Sequence, residues 1–247
     1  MWASTSTGAI TTSDPGRIVL LGSAHVVDLS GPIRAQLEAL PLQAVALELD
    51  AERASVLEGP PTDSTSKRGS APLLIRFWGM LQRRLGAELG QGAGGEMRAA
   101  AQFARERHLP IFLIDDPFSL TVRRLLGSLS PYERVRLLVG AVLGLVIPTR
   151  VVKRELDQYS DKPADFTDQL RTEFPTVARV LIDERNQHMA GRLEEIWRRG
   201  IRHVAVVVGD AHVTGLAEEL RRRQLPVDSV SFAQLQGPAT APPVTPP

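Results

Sequence analysis

Two stretches of the chain carry the same succession of residue types. Ile18-Val19-Leu20-Leu21-Gly22-Ser23-Ala24-His25-Val26 lies near one end and Ala205-Val206-Val207-Val208-Gly209-Asp210-Ala211-His212-Val213 near the other. In each, an apolar run breaks at glycine, and a small polar residue and an alanine lead to a histidine. Two imidazoles presented by one local geometry point to a shared site. With a carboxylate beside them they suit a borderline divalent cation such as zinc, manganese or cobalt. A bound cation lowers the pKa of water toward neutrality and makes a nucleophile. The same groups also work without metal, histidine as base and carboxylate as partner in activating water. Spacing leaves both routes open. Cysteine is absent, which removes thiolate ligands, disulfides and a cysteine nucleophile. Ser23 does not sit in the G-x-S-x-G setting of a nucleophile elbow.

The elements that must position these groups are legible in the apolar pattern. Apolar runs at Ile18 to Leu21, Ala44 to Leu49, Pro110 to Ile114 and Val204 to Val208 predict strands, the first of them continuous and suited to burial on both faces, and Val227 to Val230 predicts a last short strand. Between them, helical spacing predicts helices from about Ser30, over Glu96 to His108, from about Pro175 to Arg199 and near Thr214 to Arg223. Strands separated by helices predict an α/β fold with a mainly parallel central sheet flanked by helices. In such sheets ligands bind outside the carboxyl ends of the strands. His25 follows the first strand, Glu48 ends the second, Asp115 and Asp116 end the third, and His212 follows the fourth. Four strands thus aim ionisable groups at one edge. His108 and His203 flank strand starts, the opposite edge.

Each residue also has a purely structural explanation. A histidine after a strand can cap a helix, and Asp116 before Pro117 reads as a helix N-cap. Glu96 suits a first helical turn through the helix dipole. Arg53, Arg123 and Arg185 can be ion-pair partners, and Glu184 and His188 are four apart on a helix and can pair there.

The expected organisation is a lead over 1–16, one domain over 17–236 and a proline-rich tail over 237–247. Within the domain, 58–70 has loop composition, and 130–199 is a helical middle opened by a capping box at Ser130-Pro131-Tyr132-Glu133. Val135, Leu138, Val142 and Val146 could share one face of that helix. Leu73, Phe77, Trp78 and Leu81 have the spacing of a core-facing helix, with a substrate entrance or a homodimer surface as alternatives. A net charge of +1 gives no electrostatic case for nucleic acid. The first residues lack a signal peptide's basic start and apolar core. The apolar stretch from Leu137 to Pro148 is short of the roughly 20 residues of a membrane span. A soluble, cytoplasmic chain without a span is the expectation.

Taken together the motifs resemble the TraB/PrgY family (pheromone shutdown proteins), relatives of the TIKI proteins and, more distantly, of erythromycin esterase-like and ChaN-like folds. The residues that carry the resemblance are Gly22-Ser23-Ala24-His25, Leu47-Glu48-Leu49-Asp50 with Arg53, and Gly95-Glu96-Met97-Arg98-Ala99-Ala100. They continue with Asp115-Asp116, Thr121 and Arg123, with Glu184-Arg185-Asn186, and with Gly209-Asp210-Ala211-His212. The resemblance implies a TIKI-like fold and a metal-dependent hydrolase, including peptidase activity, on a peptide or small-molecule substrate. Carried over, His25, His212 and Glu48 become metal ligands and, with Glu96, the catalytic set. Arg53, Arg123, Arg185, Asp116 and Asn186 become substrate-binding residues. A non-catalytic ligand-binding regulator and ChaN-like metal or haem-iron binding are the alternatives. Many members carry a C-terminal membrane region, where this chain has its proline-rich tail.

Overall fold

A computed structural model describes residues 15–23, 29–51, 53–54, 95–137 and 163–236. His25, the 58–70 loop, Leu73, Phe77, Trp78, Leu81, Leu138, Val142 and Val146 lie outside the described residues.

The β-branched runs form the strands: β1 (Arg17–Ser23), β2 (Ala44–Leu47), β3 (Ile111–Leu113), β4 (His203–Gly209) and β5 (Val227–Val230). They pair in the order β3-β2-β4-β1-β5, and each pairing is parallel. The described helices are α1 (Ser30–Glu38), α2 (Gly95–Glu106), α3 (Phe118–Ser128), α4 (Pro163–Glu173), α5 (Pro175–Ala178), α6 (Glu184–Arg198), α7 (Asp210–Arg222) and α8 (Phe232–Gln236). A π-helical turn, Arg179–Asp183, joins α5 to α6, so the helix expected from about Pro175 to Arg199 is continuous but carries a wider turn.

Period-two alternation sorts the strand residues between two cores. Ile18, Leu20, Ala44, Ala46, Val204, Val206 and Val208 pack with Met189 and Leu193 of α6 and with Leu216 and Leu220 of α7. Val19, Leu21, Val45, Leu47, Ala205 and Val207 pack with Ile33 and Leu37 of α1 and with Met97, Ala100 and Phe103 of α2. Both faces of β1, β2 and β4 are therefore covered, which is why these strands read as apolar runs. Each fully buried Ile, Leu or Val contributes about 1.5–3 kcal/mol.

β4 is paired on one side with β2 and on the other with β1. From β2 the chain goes on to β3 at one edge of the sheet. From β4 it crosses β1 to β5 at the other. The order reverses between β2 and β4, so the crevice at their carboxyl ends is a topological switch point.

Two local readings change. The last long helix starts at Asp210 and not near Thr214. Gly209 is extended (φ −59°, ψ 139°) and turns the chain directly into the helix, whose first-turn Asp210 suits the dipole. Asp116 is not an N-cap. Pro117 occupies that position, and the Phe118 N–H is taken by Asp50 Oδ2 at 3.0 Å, from after β2. The capping box at Ser130 is present: Ser130 N donates to Glu133 Oε2 (2.9 Å) and Glu133 N to Ser130 Oγ (3.2 Å). The Ser130 N–H, followed by the Thr176 and Ser130 side chains, brings the Glu133 carboxyl down to about 2. Residues 131–137 are helical behind it, with Val135 61% exposed.

Candidate functional site

Glu48 is the first residue past β2, and its N–H still donates to Val207 O across the ladder at 3.0 Å. Its Oε2 turns to the end of β4 and accepts the Gly209 N–H at 2.6 Å. One turn further on, His212 is the third residue of α7, with its side chain 6% exposed. α6 runs beside α7 and presents Arg185 and Asn186 to the same imidazole. Arg185 Nη1 lies 3.0 Å from His212 Nε2, and Asn186 Oδ1 lies 2.8 Å from His212 Nδ1. A guanidinium only donates, so Nε2 must accept and Nδ1 must carry the proton that Asn186 Oδ1 receives. Both contacts select the neutral Nδ1–H tautomer. Burial pushes the His212 pKa down and Glu48 opposes; with Arg185 the net direction is down.

Arg185 is the hub of the network. Its Nε and Nη2 form a fork on Asp115, at 3.0 Å to Oδ1 and 2.7 Å to Oδ2. Nη2 also bonds Glu48 Oε1, and Nη1 reaches Leu181 O, a carbonyl of the π-helical turn, at 3.2 Å. Asp115 is bonded in turn by Arg53 Nη2. Arg53 also binds Asp50, by its Nε at 2.9 Å and its backbone N at 2.8 Å. Alternating charges thus run Glu48, Arg185, Asp115, Arg53, Asp50 from the sheet edge to the start of α3. Burial pushes the Glu48 carboxyl up, but His212, Arg185 and the Gly209 N–H outweigh it and the net direction is down. Asp115 and Asp50 follow the same logic: burial raises each, and Arg185 with Arg53, or Arg53 with the Phe118 N–H, bring it below the carboxylate range.

Of the residues predicted from sequence, Glu48, Arg53, Arg185, Asn186 and His212 come together here. His25 is outside the described residues, although β1 runs toward the same edge: Ser23 pairs with Gly209, and Ser23 Oγ is buried with no partner among the described residues. Glu96 is buried in the first turn of α2, on the face of the sheet opposite α6. Asp116 sits beside the network. Its Oδ2 takes Arg124 Nη1 at 2.7 Å, and its Oδ1 lies 3.4 Å from His188 Nδ1. His188 thus turns to Asp116 and not to Glu184, which pairs with Arg179. Arg123 is exposed on α3, and the neighbouring Arg124 is the arginine of that helix that meets an aspartate of this edge. A helical step of one residue, about 100°, decides which of the two reaches Asp116. Asp115 and Asp50 were visible as strand-end acids, but nothing in the sequence marked Asp115 as the carboxylate shared by two arginines. Asn186 is 1% exposed and orients His212, so its described role is positioning.

The proposed metal set of His25, His212 and Glu48 can be tested for its described part. His212 Nε2 and Glu48 Oε1 are 3.4 Å apart, but Arg185 donates to both atoms. The lone pairs a cation would need already hold a guanidinium. Among the described residues no group of three His, Asp or Glu side chains is arranged to hold a metal ion. As they stand, these donors do not fit a metal, and no chemical step is routed through one below.

A parallel sheet whose switch point carries a buried imidazole, carboxylates and a shared arginine defines an α/β protein with one polar site at its carboxyl edge. The chain belongs to the TraB/PrgY/gumN family, which it matches over residues 9–228. It is 29% identical over 216 residues to the Methanocaldococcus jannaschii protein described as "Uncharacterized protein MJ1365", covering 83% of this chain and 53% of that one. The chain thus spans about half the length of this relative. Among solved structures it is similar to ChaN of Campylobacter jejuni, reported with cofacial haem binding. The TM-score is 0.40 and the identity 14%, over 88% of this chain and 81% of that one. No helix among the described residues is long and apolar enough to cross a membrane.

Proposed function

We propose that the chain is a hydrolase of carboxylic acid derivatives, peptides or small-molecule esters, in which His212 is the base that activates water. One observation carries the reading: a buried, neutral imidazole has its proton fixed on Nδ1 by Asn186, and its basic Nε2 faces Glu48 and Arg185 at the sheet's switch point. A base oriented by a third group is the arrangement that nucleophilic and general-base sites share. Water takes the place of the Arg185 Nη1 N–H at Nε2 and gives Nε2 a proton while its oxygen bonds to the carbonyl carbon. The Nη1 N–H thereby released from Nε2 turns to the carbonyl oxygen, where negative charge develops. The imidazolium, with Glu48 Oε1 3.4 Å away, then protonates the leaving nitrogen or oxygen as its bond to carbon breaks. Arg53, 37% exposed and bonded to Asp50 and Asp115 through Nε and Nη2, would offer its remaining N–H groups to an anionic group of the substrate.

The test is turnover of a panel of peptides and carboxylic esters by the wild type, His212→Ala and Glu48→Gln, with and without chelator and with manganese, cobalt or zinc added. Chelator-resistant turnover that is lost in both variants is the expected result. Turnover that appears only on metal loading would mean that Arg185 gives way to a cation. Stoichiometric ligand binding without turnover would replace the hydrolase by a binding protein.

A further inference from the structure

Gly215 lies in the middle of α7, with ordinary helical neighbours on either side. A glycine there costs a helix about 1 kcal/mol relative to alanine, so its presence calls for a local reason. The reason lies across the α6–α7 contact. A Cβ built on Gly215 would overlap Nδ2 of Asn186 and lie 3.5 Å from its Cγ. Among the described residues, the neighbour across that contact that a methyl group would disturb is the carboxamide that holds His212. Asn186 is 1% exposed and its Oδ1 accepts the Nδ1–H of His212 at 2.8 Å, so it cannot swing aside and keep that bond.

We infer that Gly215 is a positioning residue: the space left by its missing side chain seats the Asn186 carboxamide, and through it fixes the tautomer and orientation of His212. The inference rests on the base role proposed for His212, but the seating itself is readable without any substrate. Gly215, three residues after His212 on the same helix, thus belongs to the site although it touches no reacting atom.

The experiment compares wild type, Gly215→Ala, Asn186→Ala and the Gly215→Ala/Asn186→Ala pair. The imidazole Nδ1–H of His212 is followed by proton–nitrogen NMR and assigned by its loss in His212→Gln. In the wild type it is expected as a hydrogen-bonded signal protected from water. Gly215→Ala and Asn186→Ala should each expose it to exchange, and the pair should do no more than either alone. If hydrolysis is found, each single variant should lower kcat by about five- to tenfold with little change in KM, the loss of one neutral hydrogen bond. A Gly215→Ala protein that fails to fold while the pair folds also supports the inference, because it assigns the clash to Asn186. An unchanged Nδ1–H signal in Gly215→Ala, additive effects in the pair, or, where Gly215→Ala fails to fold, a pair that fails to fold as well would overturn it. The NMR result stands whether or not turnover is ever seen, so the seating and the hydrolase reading can fail separately.

Discussion

Arg185→Met removes one cation from between two carboxylates and keeps the aliphatic stem. Arg185 is 16% exposed, Glu48 11% and Asp115 1%, so the charges left behind have little access to water. Breaking a buried ion pair by deleting one partner typically costs about 3–5 kcal/mol. At this chain length that corresponds to a fall in Tm of about 6–20 °C. Arg53 remains bonded to Asp115 and offsets part of the loss, which places the expectation at the lower end of that range. The pH dependence separates an electrostatic cause from a packing one. In the wild type the folded pKa values of Glu48 and Asp115 are depressed. Their contribution is present above the unfolded carboxylate value of about 4 and is lost as pH falls through the folded values. In the variant, burial acts on Glu48 without Arg185, its folded pKa moves upward, and protonation relieves the strain. The stability gap between wild type and Arg185→Met, from urea unfolding at pH 7.5 and pH 4.5, should therefore narrow at the lower pH. A gap below about 1 kcal/mol, or one that does not change with pH, would refute the account of Arg185 as a buried charge bridge.

Two further outcomes follow from the same geometry. Gly22→Ala should destabilise the fold by about 1–3 kcal/mol, because a Cβ there would overlap Asp210 Oδ1 and lie 3.1 Å from Val213 Cγ2 and from the Phe232 N that Asp210 bonds; wild-type urea midpoints in this variant would contradict the packing described. Burial first, with Arg185, depresses the pKa of His212, so the neutral ring contributes stability above its unfolded value of about 6.5 that is lost as pH falls toward the folded value. Stability measured at pH 7.5 and 5.5 should thus fall more in wild type than in His212→Gln, and equal slopes would show that His212 titrates normally.

The inner strands, their parallel pairing and the edge that holds the site follow from residue order, because a strand covered on both faces must be apolar throughout and the switch-point rule then places its last polar residues, whereas the edge strand β5 carries Asp228 and Ser229. Glu48 and His212 could be named on that ground, while Arg53 and Arg185 enter only through the family resemblance. Period and composition do not say which side chains meet across the fold. Glu48 and Arg185 are 137 positions apart and Arg185 and Asp115 are 70 apart, and both pairs exist because α6, packed on one sheet face, begins at the carboxyl edge. The choice of Arg124 over Arg123 turns on a single helical step, and the capping of α3 by Asp50 turns on a loop crossing between strands. Asn186 looked like a polar residue available to substrate, and Gly215 like an unremarked helix interior. Only the approach of α7 to α6 made the one the partner of His212 and the other the space it occupies. Residue types thus determined which chemistry could gather at the edge. Packing decided that an arginine, held by two acids, stands where the histidine's lone pair points.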